Sequence, residues 1–527
     1  MEYKSENKVC QNCKKDFVVE PDDFAFYEKM KVPAPTWCPE CRIVRRFMWR
    51  NEQNLFRRKC QTPGHNEYLI TIFHPDAPVI VYDQEYWWSD KWDVMSYGRD
   101  YDFSKPFFEQ FDELLHLVPL PHVANTNSPD CEYCHSLLSC KDCYMTFVSD
   151  FDENVMYTSQ SNNIKDSMDC FWLSNSSEKC YELVDSQKCY NVKFSRFAIE
   201  CRDSSYLYDC RDCSNCFACV GLRSKKYYIF NQPYSKEEYF NKVKNISAEE
   251  AIEFINSKPR SFCTFKNAVN CSGENINHSR NCKNCFGINE GENLRWVQDS
   301  VKIKDAYDCF GSGYGDLIND SMSILGSRIS YSKRVWYSND VQYSYYCYNS
   351  SDLFGCIGLR KKKHCIFNKQ YSKDEYIKLR EKIIEHMKKT EEYGQFFPLE
   401  LSPFAYNETL AQDYFPLTEK EAKEKGYLWR EKIKTEYNGS EDSVFKCKKC
   451  DSYFKIIERE QQFYDKMSLQ KPEYCFSCRH NKRLSSRTPF KLWNRQCTKC
   501  KKEIETSYAP DRPEIVYCEQ CYNQEVA

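Results

Sequence analysis

Side chains of similar size and polarity recur at a fixed spacing through the middle of the chain. In steps of nine from Cys131 the positions are small and polar or are cysteine, as at Cys140 and Ser149. Three places further on cysteine is again common, and the sixth place is mostly aliphatic, as at Leu137 and Val155. A nine-residue unit is too short for a helix pair, and two units would form a coil of about 18 residues. The pattern therefore predicts a mainly β fold built on a β-solenoid of nine-residue units.

The repeat occurs twice along the chain. Residues 221–239 read GLRSKKYYIFNQPYSKEEY, and residues 358–376 read GLRKKKHCIFNKQYSKDEY, 137 residues later. In both copies the serine of the YSKEEY or YSKDEY end stands three residues before a glutamate, which is the capping-box signature of a helix start. We therefore expect a duplicated solenoid, with a first lobe at 126–260 closed by capping helices and a second at 261–390 closed by one capping helix, since such helices cover an open strand edge.

Two segments outside the repeat have apolar patterns of their own. In FSKPFFEQFDELLHLV the apolar positions from Phe107 to Val118 lie on one helical face and follow Ser104, an expected N-cap. This pattern predicts an amphipathic helix that docks on the middle of the chain. Residues 391–417 are aromatic and punctuated by proline. We expect residues 391–440 to form an extended connector that lies over a lobe, because exposed aromatic clusters are poorly solvated.

Paired cysteines mark both ends of the chain. Residues 441–527 contain four C-x-x-C pairs, and residues 1–60 contain two pairs with the same mutual spacing as the first two of the tail. Two such pairs form one tetrahedral four-cysteine zinc site, so the spacing predicts three structural Zn2+ sites. The predicted ligands are Cys10, Cys13, Cys38 and Cys41; Cys447, Cys450, Cys475 and Cys478; and Cys497, Cys500, Cys518 and Cys521.

The residues around these pairs carry a family resemblance. The motifs C-x₂-C-x₃-F, F-Y-x-K-M and P-x-x-C-x₂-C-R follow one another in both terminal modules. This pattern resembles the treble-clef-like zinc-ribbon domain of uncharacterised bacterial proteins, over about 40 residues at each end. The resemblance implies a zinc site, and the order expected from the residues is knuckle, hairpin, knuckle and helix.

Residues 61–125 read as a degenerate second ribbon followed by the docking helix. When the shared P-D-x-P and I-V-Y motifs are aligned with the tail, His65 and Asp83 fall at cysteine positions. Together with Cys60 they form a weaker candidate metal site. The alternative is that aromatic packing through Trp87 and its neighbours replaces the metal in this ribbon.

Two groups of mid-chain cysteines also have ligand-like spacing. Cys131, Cys134, Cys140 and Cys143 form two C-x-x-C pairs, which makes them weaker metal candidates, although they lie in the repeat columns. Cys210, Cys213, Cys216 and Cys219 have a spacing that would suit an iron–sulfur cluster. The equivalent places in the second lobe are Cys347, Ser350, Leu353 and Cys356, which favours packing as small buried residues over a cluster.

Composition and charge exclude several classes of protein. The net charge is −2, so the whole chain is not committed to nucleic acid or to a membrane surface. The first residues lack the apolar segment of a signal peptide, and no run of 18 apolar residues occurs. We therefore expect a cytoplasmic protein without a membrane partner, in which the 33 cysteines stay reduced.

Basic residues follow the second cysteine pair at both ends. Arg42, Arg45, Arg46, Arg479, Lys482 and Arg483 recur at helical spacing, and they are the predicted nucleic-acid-binding residues. Our first functional hypothesis is a non-enzymatic zinc protein that presents these helices to RNA, DNA or a nucleoprotein such as the ribosome. The second is a protein–protein scaffold that uses the solenoid faces, and the third is an enzyme with a site in a solenoid groove. We predict no small-molecule substrate and no catalytic residue, since no P-loop, dinucleotide fingerprint or HExxH motif occurs.

Overall fold

The computed structural model describes residues 3–431, 433, 437, 439 and 443–526. The head module (residues 3–60) begins with strands β1 Glu6–Val9 and β2 Asp16–Val19 and continues with helices α1 Pro21–Met30 and α2 Pro39–Phe47. Strands β1 and β2 pair in antiparallel fashion on either side of the first cysteine pair. The hairpin therefore encloses the first knuckle, and α1 occupies the space between the knuckles where the sequence predicted the hairpin.

The segment 61–125 packs beside the head module. Its elements, with the strand that precedes it, are β3 Phe56–Lys59, β4 Tyr68–Thr71, β5 Val81–Tyr82, α3 Gln84–Trp88, α4 Phe107–Leu117 and β6 Leu120–Pro121. The predicted docking helix is α4, whose apolar face is buried. Ser104 is not its N-cap, because the helix starts at Phe107, and the Glu392 carboxylate accepts hydrogen bonds from the backbone N–H groups of Phe107 and Phe108.

Lobe 1 (residues 126–233) is a stack of short parallel strands that ends in an antiparallel hairpin. Its strands are β7 His135–Leu138, β8 Phe147–Asp150, β9 Glu153–Met156, β10 Ser159–Met168, β11 Phe171–Glu178, β12 Tyr181–Gln187, β13 Tyr190–Arg196, β14 Arg202–Tyr208, β15 Ser214–Val220, β16 Lys226–Ile229 and β17 Gln232–Pro233. Helices α5 Lys236–Lys242 and α6 Ala248–Ser257 follow, and strand β18 Arg260–Ser261 leads to the second lobe.

Lobe 2 (residues 265–370) repeats this arrangement. Its strands are β19 Phe265–Lys266, β20 Gly273–Asn277, β21 Arg280–Lys283, β22 Cys285–Asn289, β23 Glu292–Arg295, β24 Gln298–Phe310, β25 Gly313–Ser330, β26 Lys333–Gln342, β27 Tyr345–Tyr348, β28 Ser351–Phe354, β29 Lys363–Ile366 and β30 Lys369–Gln370. Helix α7 Lys373–Lys389 follows. The capping boxes at Ser235 and Ser372 are present, which confirms the predicted helix starts.

The connector and the tail module complete the chain. The connector, described to residue 431 and at 433, 437 and 439, contains α8 Leu410–Tyr414 and α9 Glu419–Glu424, and Phe396, Phe397 and Phe404 are buried in the main core. Its predicted end at residue 440 lies outside the described residues. The tail module (residues 443–526) contains β31 Val444–Lys446, β32 Tyr453–Lys455, α10 Glu458–Met467, α11 Phe476–Ser486, β33 Trp493–Gln496, β34 Glu503–Thr506, β35 Val516–Tyr517 and α12 Glu519–Val526. No helix in these described ranges has both the length and the apolar character needed to cross a bilayer.

The β-solenoid is confirmed, but its coil is shorter than predicted. Neighbouring strands pair with a shift of 12 residues, as between Leu183 and Ser195, rather than about 18. Every third residue has a positive φ angle, as at Glu182, Asp185 and Lys188, so each side of the coil is three residues long. A coil of 12 residues therefore has four sides. One residue of each three-residue side faces inward, so the inward-facing residues recur every three positions. The columns seen in steps of nine in the sequence all belong to this inward-facing set.

The narrow interior explains the small residues of that set. Cys180, Leu183, Ser186, Cys189 and Val192 are all buried in the core of lobe 1. Interior hydroxyl and thiol groups satisfy the backbone of the same and the adjoining coils. Ser195 Oγ, for example, donates to the carbonyl of Lys193 at 2.8 Å and accepts from the N–H of Leu207 at 2.9 Å. Buried polar groups that are paired in this way avoid the cost of desolvation without a partner.

The corner positions favour asparagine and aspartate, which tolerate the left-handed region better than most residues. Their side chains bond from one coil to the next. In lobe 2 the amides of Asn270, Asn281 and Asn293 donate successively, and the ladder ends at the carboxylate of Asp305. These ladders hold the corners of successive coils in register.

The terminal modules dock crosswise on the solenoid. Helix α2 of the head module, which precedes lobe 1, packs against β24 and β25 of lobe 2. Helix α11 of the tail module, which follows lobe 2, packs against β11 of lobe 1. Each lobe is therefore covered by the module from the far end of the described chain.

Candidate metal centres and interlobe cleft

Three four-cysteine clusters occur in the described part of the chain, at the positions predicted from the sequence. In each cluster the four Sγ atoms lie within 4.8 Å of one another. The distances are 3.7 Å between Cys13 and Cys38, 3.6 Å between Cys450 and Cys475, and 3.7 Å between Cys500 and Cys518. Four thiolates at about 2.3 Å from a tetrahedral metal ion would lie about 3.8 Å apart. All three clusters could therefore hold a metal ion.

The backbone of the knuckles favours the thiolate form of some ligands. Burial would raise the pKa of Cys497, but the N–H groups of Cys500, Cys518 and Lys499 hold this pKa at about 6. Burial opposes the shift of Cys447 as well, and backbone N–H groups that include that of Cys475 lower its pKa to about 6. Because the thiolate is the form that binds metal, these amides prepare both tail clusters for an ion.

The degenerate ribbon does not bring its three candidate ligands into such a cluster. Cys60 is buried, and its Sγ accepts the N–H of Thr62. His65 pairs with Glu67 at 2.9 Å, and Asp83 caps α3 by accepting from the backbone N–H groups of Glu85 and Tyr86. Each candidate has a different partner, while Trp87 is fully buried beside them in the main core. The structure of this ribbon therefore agrees with the alternative, in which aromatic packing takes the place of a metal ion.

The mid-chain cysteines line the solenoid interior. Cys134 accepts the N–H of Thr146, and the thiols of Cys140 and Cys143 donate to carbonyls nine residues further on. Cys210 and Cys213 make the same kind of bond to Cys219 and Leu222. In the described residues neither of these two sets, the one from Cys131 to Cys143 and the one from Cys210 to Cys219, forms a compact cluster of ligand atoms. Their thiols complete the backbone hydrogen bonding of the coils, as interior serines do.

The three arginines predicted to contact nucleic acid in the head module are buried against lobe 2. Arg42, Arg45 and Arg46 are exposed by only 1%, 3% and 0%. Arg42 pairs with Asp308 at 2.8 Å, and Arg45 and Arg46 pair with Asp320 at 2.8 and 2.7 Å. Although burial lowers it, the pKa of Arg42 stays above its ordinary value because of Asp308. These side chains face aspartates and not solvent, contrary to the prediction that they meet a polyanion.

The tail module repeats the arrangement on lobe 1. Arg479 and Arg483 are buried and both pair with Asp169, at 3.0 and 2.8 Å. Lys482 is the exception, since its side chain is 69% exposed and lies 3.7 Å from Glu182. Of the six predicted nucleic-acid-binding residues, Lys482 is therefore the one that an external polyanion could reach. The basic helices act as internal contacts between module and solenoid.

A cleft of about 2300 Å³ separates the two lobes. Its walls come from corner and strand residues of both lobes, and its floor includes Arg50, Asp185 and Asp299. Asp299 is almost fully buried, and burial raises its pKa to about 6 although Arg487 opposes the shift. Sequence analysis did not identify this cleft, because the residues that form it are separated along the chain by more than a hundred positions.

Two arginines join the lobes at the floor of the cleft. Arg487 lies 3.2 Å from Asp185 of lobe 1 and 3.4 Å from Asp299 of lobe 2. Arg50 donates to Ser323 of lobe 2 and pairs at 2.5 Å with Glu52, which accepts from Gln160 of lobe 1 at 3.0 Å.

The same offset of 437 residues that relates Cys10 to Cys447 also relates Arg50 to Arg487. This equivalence was the available signal for two residues that sequence reasoning missed. A direct contact adds to these links, because Arg334 of lobe 2 donates to Ser136 of lobe 1 at 3.3 Å.

Comparisons with known proteins give no functional guide. No family model and no curated protein matches the sequence. Among solved structures, the chain is similar to a protein from Desulfovibrio desulfuricans whose crystal structure bears the provisional label of an acetyltransferase. The two share 11% identity over 47% of this chain and 71% of that chain, with a TM-score of 0.10. A likeness at this level carries no argument about fold or activity.

Proposed function

We propose that this protein is a non-enzymatic scaffold in the cytoplasm whose interlobe cleft binds a macromolecular partner. The observation that carries the proposal is the bridge at the cleft floor, where Arg487 contacts an aspartate of each lobe. A buried guanidinium with two carboxylates fixes the distance and angle between the elements that carry them. A cleft of fixed width is a preorganised binding surface, because little ordering remains to be done when a partner enters.

We infer that each four-cysteine cluster holds a structural Zn2+. Four thiolates in a tetrahedral arrangement suit this soft-ligand ion, and a site with four protein ligands has no open position for a substrate or for a reactive water. The metal holds the short helices α2 and α11 in place, and these helices carry the arginines that contact the lobes. Zinc thus supports the cleft from a distance without taking part in chemistry. Reduced thiols are needed for this role, which fits a cytoplasmic protein.

The burial of the basic residues weakens the hypothesis that this protein binds nucleic acid. Five of its six residues are buried in ion pairs within the molecule, so their charge is already neutralised. Charged groups that line the cleft are mostly paired with groups of opposite sign, which also disfavours a polyanion. The scaffold hypothesis needs none of these arginines to be free.

The test is recovery of the tagged full-length protein from native lysate, with and without nuclease. A cleft variant, Asn289→Arg with Asn339→Arg, adds two bulky cations to the cleft wall. The control, Asn241→Arg with Asn245→Arg, adds the same charge to the exposed surface beyond lobe 1. We expect a co-purifying partner that survives nuclease, is kept by the control and is lost by the cleft variant.

Two results would contradict the proposal. A partner that nuclease removes would indicate nucleic acid, and a partner that both variants keep would place binding outside the cleft. Metal analysis of the same samples should give three zinc ions per chain, one for each cluster. A lower value would refute the assignment of zinc to all three clusters, and the conclusion about partner binding in the cleft would not depend on it.

A further inference from the structure

The cleft walls expose large aromatic rings. Trp88, Phe151, Tyr314 and Tyr337 line the cleft and are 40%, 54%, 68% and 64% exposed. Phe151 belongs to lobe 1, and the two tyrosines belong to lobe 2, so rings project from both walls. Isolated apolar residues are common on protein surfaces, but aromatic rings grouped within one concave site indicate a binding surface.

Unpaired amides lie between these rings. Asn162 of lobe 1 and Asn289, Asn339 and Asn349 of lobe 2 are exposed in the cleft. None of these four side chains has a hydrogen-bond partner in the part of the chain that the structure describes. By contrast, Asn175 on the lobe 1 wall donates its amide to Gln187 in the next coil. A free side-chain amide offers two donors and one acceptor, and the four together could bond a ligand rich in hydroxyl groups.

Most charged groups of the cleft are paired with groups of opposite sign, and its lining carries no excess of positive charge. Lys188 pairs with Glu200 at 2.8 Å on lobe 1, and Lys302 approaches Glu290 to 4.0 Å on lobe 2. On the same side of lobe 1, Arg211 lies 3.7 Å from Asp209. A groove for single-stranded nucleic acid combines aromatic rings with an excess of positive charge, and this cleft has the rings without the excess. Its chemistry fits a ligand that is polar and uncharged.

We infer that the cleft binds a neutral glycan chain, and this inference rests on the proposed role of the cleft as the binding surface. A sugar ring has hydroxyl groups for the free amides. It also has a face of weakly positive C–H groups, which would stack on the negative face of Tyr337, or of Tyr314, whose ring the Lys302 ammonium also approaches at 5.5 Å. The site therefore offers both kinds of contact that an uncharged sugar polymer can make.

A peptide segment fits the same walls less well. An extended peptide that adds to a sheet needs a free strand edge, and here the backbone groups of the walls bond from coil to coil, as at Val301 and Gly313. The C-terminal ends of the lobes are closed by the hairpins β16–β17 and β29–β30. A helical peptide needs a continuous apolar groove, whereas asparagine and serine separate the aromatic rings of this cleft.

The test is affinity electrophoresis of the full-length, metal-loaded protein in native gels. The gels contain one soluble neutral polysaccharide each, namely a β-glucan, an α-glucan, a xylan or a galactomannan. We expect at least one of them to retard the wild-type protein. The double variant Tyr314→Ala, Tyr337→Ala should weaken this retardation about tenfold, because two stacking rings are lost. Tyr314→Phe with Tyr337→Phe should keep it, since the ring and not the hydroxyl makes the contact.

The matched control is Tyr68→Ala, which removes an exposed tyrosine outside the cleft and should leave retardation unchanged. Equal retardation of the double alanine variant and the wild type would overturn the inference. The inference would also be overturned if none of the neutral polysaccharides retarded the protein, or if the protein bound a degenerate peptide library or poly-U RNA and no polysaccharide. If the co-purifying partner still depends on the cleft while no polysaccharide binds, the scaffold proposal stands and only the glycan assignment fails.

Discussion

The guanidinium groups of Arg46 and Arg483 occupy equivalent places in the two terminal modules, and both are buried against solenoid aspartates. Taking a charge out of water is costly unless an opposite charge and hydrogen bonds compensate for it. The carboxylates of Asp320 and Asp169 provide this compensation at 2.7 and 2.8 Å. Loss of Asp169 would leave Arg479 and Arg483 without this compensation, and loss of Arg483 would leave Asp169 with Arg479 alone. These ion pairs therefore make docking of the modules specific for one site on each lobe.

A pair of substitutions on α11 tests this role. Arg483→Ala should lower the free energy of unfolding by about 2–3 kcal/mol, because Asp169 would lose one of its two buried partners and keep Arg479 alone. Lys482→Ala, one position earlier and exposed, should change it by less than about 0.5 kcal/mol. Urea unfolding followed by intrinsic fluorescence measures both. Similar effects for the two variants would contradict the assignment of Arg483 as an internal contact.

At the scale of elements, cysteine serves two purposes in this chain. In the knuckles its thiol is a potential metal ligand, and the second cysteine of each first pair is exposed, as at Cys13, Cys450 and Cys500. In the solenoid its thiol points inward and donates to the backbone, as Cys189 does to Ala198 at 3.3 Å. A serine would fit the second setting, since serine occupies the same inward positions in other coils.

Matched cysteine-to-serine variants separate these purposes. Cys475→Ser should reduce bound zinc from three ions per chain to two, because a four-thiolate site that loses one ligand loses its ion. Cys189→Ser should leave three, since the hydroxyl makes the same bond to the backbone. Inductively coupled plasma mass spectrometry of both proteins gives the counts. A loss of metal from the Cys189 variant, or the presence of iron in either protein, would refute the division.

At the scale of the whole molecule, the crossed docking of the modules links the two ends of the described chain to the two lobes. The head module contacts lobe 2, the tail module contacts lobe 1, and Arg50 and Arg487 join both lobes at the floor of the cleft. The arrangement ties lobe geometry to the four-cysteine clusters, because Cys38 and Cys475 are the N-cap residues of α2 and α11.

Removal of the metal should therefore change the shape of the molecule and not only its ends. After treatment with a strong zinc chelator, we expect faster proteolysis in both terminal modules and a larger radius of gyration in small-angle X-ray scattering, because the folding of small zinc modules depends on the metal. Addition of zinc under reducing conditions should restore both values. An unchanged radius of gyration, with proteolysis confined to the modules, would mean that the lobes keep their arrangement without them.

The sequence by itself determined the features that depend on neighbouring residues. The C-x-x-C pairs, the capping boxes at Ser235 and Ser372 and the inward-facing small residues are all visible along the chain because each is set within a few positions. The solenoid class followed from these small residues, and the three clusters followed from cysteine spacing.

Tertiary structure alone decided the coil length and the partners of the basic helices. A period of three along the sequence is compatible with coils of any multiple of three residues, and the left-handed corner at every third residue closes the coil at 12. The charge of Arg46 could meet solvent or a distant carboxylate, and only the crossed docking brings it to Asp320, 274 positions away. The cleft was hidden for the same reason, since its walls are joined in space and not in sequence.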